Sequence, residues 1–426
     1  MRHAILPTVI MLLTAVTPAL PGDPPQEHAA ASAEATQDFE ARMRHFMWRH
    51  GVPGAAVAVA VDGEIVYEQG FGWADVDEAI PVTPDSQFRI GSISKSITAV
   101  AILQLVEQGK LSLDDNPFDV IGMADQIRAP EVDPQLQDIT IEQCLSHTAG
   151  FSGDPMFQEE HLMTTMDLAA RPDRMDVVRF VISQPLTRQP GAYWHYSNFG
   201  YLLLELVLEA MTEKPYETVI QDQIADPLQL VDLQLGGPLP TDRLAGEVAY
   251  YDHQQRIQPI IMPDGSTQSV PKGYSHPPTG FGGAGGLVAT AGSLAVISND
   301  LHQEEGSRLL GKEHIRRMWT PVEADHKYRS DYPMGVGYGL GWFVGVIDDD
   351  TRNAWHGGTY QGAISAQIVQ YSNGCSVAVL FNTTNSALTK TELRFLFEAE
   401  LLQIAKAIGT NEHGSSQSTD RGPLDP

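Results

Sequence analysis

Two β-rich stretches near opposite ends of the chain, with a long helical and loop-rich middle, predict an α+β fold. An antiparallel sheet flanked by helices is built from both chain ends, and a mostly helical lobe is inserted between them. Near the start, β-branched runs within Ala55 to Gly72 flank Asp62-Gly63, a strong signal for a two-residue hairpin turn. Near the end, strand patterns return at Tyr338 to Ile347, Ile364 to Tyr371 and Ser376 to Phe381, with Ser372-Asn373-Gly374 as a turn. From Asp114 to about Pro333 short helices alternate with Pro- and Gly-rich loops.

In chain order, Met1-Arg2-His3 and the apolar run Ala4 to Val16, followed by small residues, Pro and Gly, read as a secretory signal peptide over 1–20. The run is shorter than the roughly 20 apolar residues that cross a bilayer, so a soluble product in the periplasm or outside the cell is expected, with no stable membrane insertion after cleavage. A retained signal anchor is the alternative. Residues 21–36, rich in Pro, Ala and Glu, read as a linker. Phe39 to His50 is an amphipathic helix stopped by Gly51 and Pro53, and Ser94 to Gln108 is a helix with Ile97, Val100, Ala101, Leu103 and Leu105 on one side and Gly109 as its terminator. Tyr201 to Met211 and Ser293 to Leu301 are helices of the middle segment, and a last helix runs from Thr389 to Ile408. The expected organisation is one domain over 37–408, with an α/β lobe at 37–113 and 334–408 and a helical lobe at 114–333. The polar tail 409–426 reads as disordered.

With 54 acidic against 27 basic side chains, the formal charge of −27 repels phosphate backbones, so nucleic acid is excluded as a partner. The two cysteines, Cys144 and Cys375, lie far apart in apolar surroundings. They give no metal-ligand spacing and read as core residues, with a single disulfide between them as the alternative. No metal or other cofactor is expected.

Three segments carry chemistry. In Phe88-Arg89-Ile90-Gly91-Ser92-Ile93-Ser94-Lys95, a Ser and a Lys three apart at a helix start share a face. A serine hydroxyl needs a neighbour to take its proton before it can act as a nucleophile, and the helix start adds a backbone N–H near a developing oxyanion. Alone, the pair is also what an ordinary helix start looks like. Tyr196-Ser197-Asn198 precedes a helix, and the same tripeptide at Tyr371-Ser372-Asn373, in an expected turn, shows how readily it arises. His356-Gly357-Gly358-Thr359 falls on a late strand, where glycines let a ligand or another backbone come close or simply mark a bulge. The run Gly282 to Gly286 lacks the Lys and Ser/Thr of a phosphate cradle and reads as close packing in a loop.

Taken in order, the three segments resemble those of the beta-lactamase-related serine hydrolases: class C beta-lactamases, D-alanyl-D-alanine carboxypeptidases, D-aminopeptidases and carboxylesterases of the beta-lactamase/transpeptidase-like fold. Leu145-Ser146-His147-Thr148-Ala149-Gly150, Gly285 to Ala291 and Tyr338 to Trp342 extend the likeness across Asp38 to Ile408. The resemblance implies that Ser92 forms an acyl-enzyme, that Lys95 stays protonated beside it, and that Tyr196 shuttles a proton to the leaving group and later activates water. It implies that Asn198 bonds substrate or the Lys95 amine, and that the backbone N–H groups of Ser92 and Thr359 form the oxyanion hole. A cation beside Tyr196 should lower its pKa from about 10.

One departure bears on substrate. Relatives that hold a substrate carboxylate carry Lys-Thr-Gly where this chain has His356-Gly357-Gly358, an imidazole in place of a fixed cation and a glycine in place of a hydroxyl. That moves expectation toward carboxylic esters or small amides. The alternatives are a beta-lactamase, D-Ala-D-Ala carboxypeptidase or D-aminopeptidase acting on beta-lactams or peptidoglycan peptides, and a penicillin-binding sensor without turnover. If an anionic substrate is held, Arg89 or a residue after Phe151 is the group to examine.

Overall fold

The computed structural model describes residues 26–384, apart from 152–153, 253–256, 263, 265, 272–273, 275–280, 303–305, 323–335, 347–351, 361–363 and 371–373. The segments 1–20 and 409–426, the expected helix Thr389 to Ile408 and the tripeptide Tyr371-Ser372-Asn373 lie outside the described residues.

The sheet joins the two ends of the chain as expected. β1 (Gly54–Val61) and β2 (Glu64–Asp75) form a hairpin whose turn residues Asp62 and Gly63 both take positive φ, 48° and 89°. Those angles suit a turn that follows the right-handed strand twist. β3 (Ile80–Pro81) continues that edge, and β4 (Phe88–Arg89) leaves the sheet to pair with β5 (Leu287–Ala289). From the C-terminal side come β6 (Val336–Tyr338), β7 (Phe343–Val346), β8 (Arg352–Tyr360), β9 (Ile364–Gln370) and β10 (Cys375–Phe381). The order is β6-β7-β8-β9-β10-β1-β2-β3, antiparallel throughout, and β1 meets β10 with Val57 opposite Val379. The single strand expected over Tyr338 to Ile347 is instead the β6–β7 hairpin. Gly341 takes φ 82° and the Gly339 N–H bonds back to Trp342 O at 2.8 Å, which reverses the chain.

Strand alternation assigns the two faces. Ala55, Val57 and Val59 of β1, with Val377, Val379 and Phe381 of β10, pack under Phe39, Met43, Phe46 and Met47 of α1 (Gln26–His50). The opposite face of β1 is Ala56, Ala58 and Ala60, which joins the larger core with α2 (Ser94–Glu107). α1 begins at Gln26, inside the stretch expected to be a linker. Its alanines have the highest helix propensity of any residue, and no Pro or Gly interrupts them. α2 is buried on every side from Ser94 to Leu105, not on one stripe, and ends at Gly109 (φ 66°) with Lys110 N–H on Leu105 O and Gly109 N–H on Val106 O.

In the middle segment, α3 (Ile141–Leu145) starts at a Thr140–Gln143 capping box, and α4 (Asn198–Thr212) starts at Ser197. α5 (Ala291–His302), also within 114–333, lies against β1 and β10, so the α/β lobe draws one helix from the inserted segment. Its Asn299 accepts from Gly63 N–H and donates to Gly374 O at 2.7 Å, tying two sheet turns to one helix. A hairpin of Ile257–Ile261 with Thr267–Pro271 was not expected from the residue pattern. Cys144 and Cys375 are buried and are not joined in a disulfide. No described helix is long and apolar enough to cross a membrane.

Candidate active site

Ser92 occupies one 3₁₀ turn, Gly91–Ile93, between β4 and α2. The turn is tight because Gly91 takes φ 52°, which side chains rarely adopt, and because β8 runs directly against it. A Cβ on Gly358 would collide with Ile90 O and lie 3.2 Å from Ser92 N, and one on Gly91 would lie 3.1 Å from Thr359 N. The amides expected to form the oxyanion hole therefore border one junction, and both glycines are required by the close approach.

The spacing of Ser92 and Lys95 does bring them together. Lys95 Nζ lies 3.2 Å from Ser92 Oγ, 2.7 Å from Asn198 Oδ1, and donates to Ala284 O. The ammonium is fully buried and stands 4.9 Å and 5.5 Å from the ring centres of Tyr196 and Tyr201. Ala284 belongs to the turn Gly282–Gly286, whose glycines pack against Tyr201 O and the Phe281 ring. The close packing expected of that run thus also delivers a carbonyl to the lysine. Two of the three acceptors can only accept, so two N–H bonds are fixed in either protonation state. The third position, facing Ser92, is an N–H when the amine is charged and a lone pair when it is neutral.

Burial pushes the Lys95 amine down to about 7, while the Asp154 charge pulls the other way. Lys95 is therefore not held protonated, as the resemblance implied, but titrates near neutrality. Tyr196 moves opposite to expectation: burial raises its pKa above the ordinary value, a hydrogen bond with Ser92 counteracts this, and the Asp154 charge adds to the rise. A phenolate is thus scarcer here than in water, and the lysine is the group near Ser92 suited to take a proton.

Asn198 has its Oδ1 turned to Lys95 because its Nδ2 donates to Asp154 Oδ2 at 2.7 Å. Asp154 Oδ1 also accepts from the N–H groups of Asn198 and Phe199, at 2.8 and 3.3 Å, at the start of α4. Tyr196 is clamped by His147, whose ring centre is 4.3 Å from the phenol ring and whose Nδ1 accepts from Ser197 N–H at 3.2 Å. His147 takes φ 61°, is buried, and has no polar partner for Nε2 among the described residues. Burial, followed by the Lys95 charge, lowers its pKa well below the usual value, so it is neutral.

His356 is not at the cleft surface as a substitute for a substrate-holding lysine. It is 1% exposed, its Nδ1 donates to Gly357 O at 2.8 Å, and its Nε2 accepts from the Tyr338 hydroxyl at 3.1 Å. Burial and then the Lys95 charge lower its pKa to about 3, so it carries no charge at neutral pH. Gly357 and Thr359 are exposed and Gly358 is buried. Arg89 is not available to a substrate anion either, since it pairs with Glu247 at 2.8 Å, donates to Gly237 O at 2.6 Å and is buried.

Asp154, the role of His147 and the Ala284 carbonyl were missed in the sequence. His147 lies in a segment for which the resemblance implies no role, and no sequence signal marks the other two.

The family described as Beta-lactamase matches residues 39–400. Protein flp of Staphylococcus aureus (strain N315) is 23% identical over 362 residues, which cover 84% of this chain and 65% of that protein. The chain thus spans about 65% of the length of that curated relative. Esterase EstB of Burkholderia gladioli is 28% identical over 392 residues, covering 84% of this chain and 92% of the esterase. Among solved structures, a D-stereospecific amidohydrolase from Streptomyces is 25% identical with a TM-score of 0.60, covering 88% of this chain and 99% of that one. With the family match spanning most of the chain and the Ser-Lys-Tyr-Asn cluster assembled around β8, the chain belongs to the beta-lactamase family.

Proposed function

We propose that the chain is a secreted serine hydrolase that acts through a Ser92 acyl-enzyme on carboxylic esters or small amides. Neutral Lys95 takes the Ser92 proton across their 3.2 Å contact as Oγ attacks the carbonyl carbon. The oxyanion forms at the amides of Ser92 and Thr359. As the tetrahedral intermediate collapses, the Tyr196 hydroxyl protonates the departing alkoxide or amine and recovers its proton from the Lys95 ammonium. Water then enters by the reverse route and releases the acid.

The observation that carries the substrate class is the buried, neutral His356 at the position where carboxylate-holding relatives carry a cation. A lost charge-assisted contact costs about 1.5–3 kcal/mol, or about 10- to 100-fold. Esterase EstB supports the ester reading, and the D-stereospecific amidohydrolase supports the amide one. Short p-nitrophenyl esters are expected to exceed nitrocefin and a D-Ala-D-Ala peptide in kcat/KM by at least about tenfold. Ser92→Ala should abolish turnover, and a fluorophosphonate adduct should map to Ser92. A preference for nitrocefin would overturn the ester assignment, and an adduct elsewhere would overturn the mechanism. Export rests on the apolar run at 4–16. Amino-terminal sequencing of exported protein should find a start between Leu20 and Ala35, and an intact Met1 on membrane-bound protein would overturn it.

A further inference from the structure

We propose that Asp154 is a positioning residue for proton transfer at Ser92, fixing Asn198 with its amide oxygen toward Lys95 and holding a negative charge one residue removed from the amine. The inference rests on the Ser92 hydrolase reading. The direction of each bond is forced. Asp154 Oδ2 can only accept, so the Asn198 group facing it at 2.7 Å is the NH₂, and the group facing Lys95 at 2.7 Å is the oxygen. A flipped amide would set two donors against the ammonium and leave the carboxylate without its side-chain donor. Asp154 Oδ1 meanwhile holds two N–H groups of α4, so the carboxylate is anchored to the helix that carries Asn198.

The same short segment supports the other fixed acceptor. Phe157, three residues on, meets Phe281 edge-on at 5.5 Å, and the Phe281 ring fills the space a Cβ on Gly285 would need. Gly285 directly follows Ala284, whose carbonyl takes a Lys95 N–H. Segment 154–157 thus stands behind both groups that orient the amine and leave its third valence facing Ser92.

Among the described residues, the charged and titratable groups around Lys95 are Tyr196 and Tyr201 beside it, His147 and His356 behind them, and Asp154 beyond Asn198. Both histidines are neutral near pH 7, and burial raises the pKa of both phenols. Asp154 is the carboxylate whose charge acts on the amine and favours its protonated form, so its removal lowers the proton affinity of Lys95. A limb of the pH profile set by Lys95 then moves to lower pH, whether the neutral or the charged amine is the active form.

The test follows the rate of fluorophosphonate modification of Ser92 from pH 5 to 9. In Asp154→Asn, which keeps an oxygen for the α4 amides, the midpoint should fall by about one pH unit and the plateau rate by about tenfold. Asp154→Ser removes the same charge with a smaller side chain and should move the midpoint the same way. The swapped pair Asp154→Asn with Asn198→Asp returns a carboxylate to the amine and should bring the midpoint back to the wild-type value or above it, a rescue that a merely structural role would not produce. A midpoint that is unmoved or raised in both single variants, with wild type labelled at Ser92, overturns this inference alone. Wild type that is not labelled at Ser92 overturns the hydrolase reading and this inference with it.

Discussion

Arg89 and Lys95 stand on either side of Ser92 along the chain, both buried, and each lies close to two tyrosine rings. The guanidinium is 5.2 and 5.4 Å from the rings of Tyr250 and Tyr274, and the ammonium is 4.9 and 5.5 Å from those of Tyr196 and Tyr201. Their neutralisation differs. Arg89 touches a carboxylate, Glu247 Oε1 at 2.8 Å, whereas Lys95 touches the neutral oxygens of Ser92, Asn198 and Ala284, with Asp154 held behind Asn198. An arginine cannot lose its proton in a protein, so a direct ion pair makes it a fixed strut that joins β4 to the segment around Glu247. A buried lysine without a carboxylate in contact keeps a proton that can leave. Similar surroundings thus give a structural cation on one side of the nucleophile and a proton acceptor on the other, and residue type together with the distance to a carboxylate decides which.

The same substitution at both positions breaks the comparison most sharply. Lys95→Met should lower kcat/KM by at least about 10³-fold while the thermal unfolding transition remains cooperative, since no buried carboxylate is stranded. Arg89→Met leaves the Glu247 carboxylate buried without its partner and should cost about 3–5 kcal/mol of stability, read from denaturant midpoints, while folded molecules keep most of their activity. If Arg89→Met is as stable as wild type but inactive, Arg89 acts on substrate and the division fails.

The two halves of this contrast were not equally legible in the sequence. Ser92 and Lys95 could be paired because helical spacing of three makes them neighbours whatever else the chain does, and the sheet could be assembled because Asp62-Gly63 and the late β-branched runs are local signals. What tunes the lysine could not be read. Asn198 reaches it across 103 positions, Ala284 across 189, and Asp154 reaches Asn198 across 44. A backbone carbonyl leaves no mark in residue identity at all. His356 shows the converse: its replacement of a lysine was visible, but its burial against Tyr338 depends on where β6 and β7 fold back, and the residue pattern had suggested one continuous strand there. The direction of the Tyr196 shift is hidden from the sequence for a similar reason, since desolvation of the phenol depends on segments distant in the chain.

The smallest expected effect is the most specific to the comparison. The folded-state pKa of Lys95 is lowered to about 7 from an ordinary value of 10.5, so between those values the unfolded chain binds a proton that the folded protein does not. Stability must then rise with pH across that window, because wherever the unfolded state holds more protons, raising pH favours the folded one. Below about pH 7 both states are charged and the full burial penalty is present, and it is relieved as pH climbs toward 10.5. Lys95→Met lacks this proton, so wild type should gain about 1–3 kcal/mol relative to it between pH 6 and 9, measured as the difference in unfolding free energy at each pH. A guanidinium remains charged in both the folded and the unfolded state, so Arg89 itself makes a level contribution over the same range. A level difference for Lys95→Met as well would mean that the three neutral acceptors hold the ammonium charged throughout. Lys95 would then be as fixed as Arg89, and the proton of Ser92 would have to go to Tyr196.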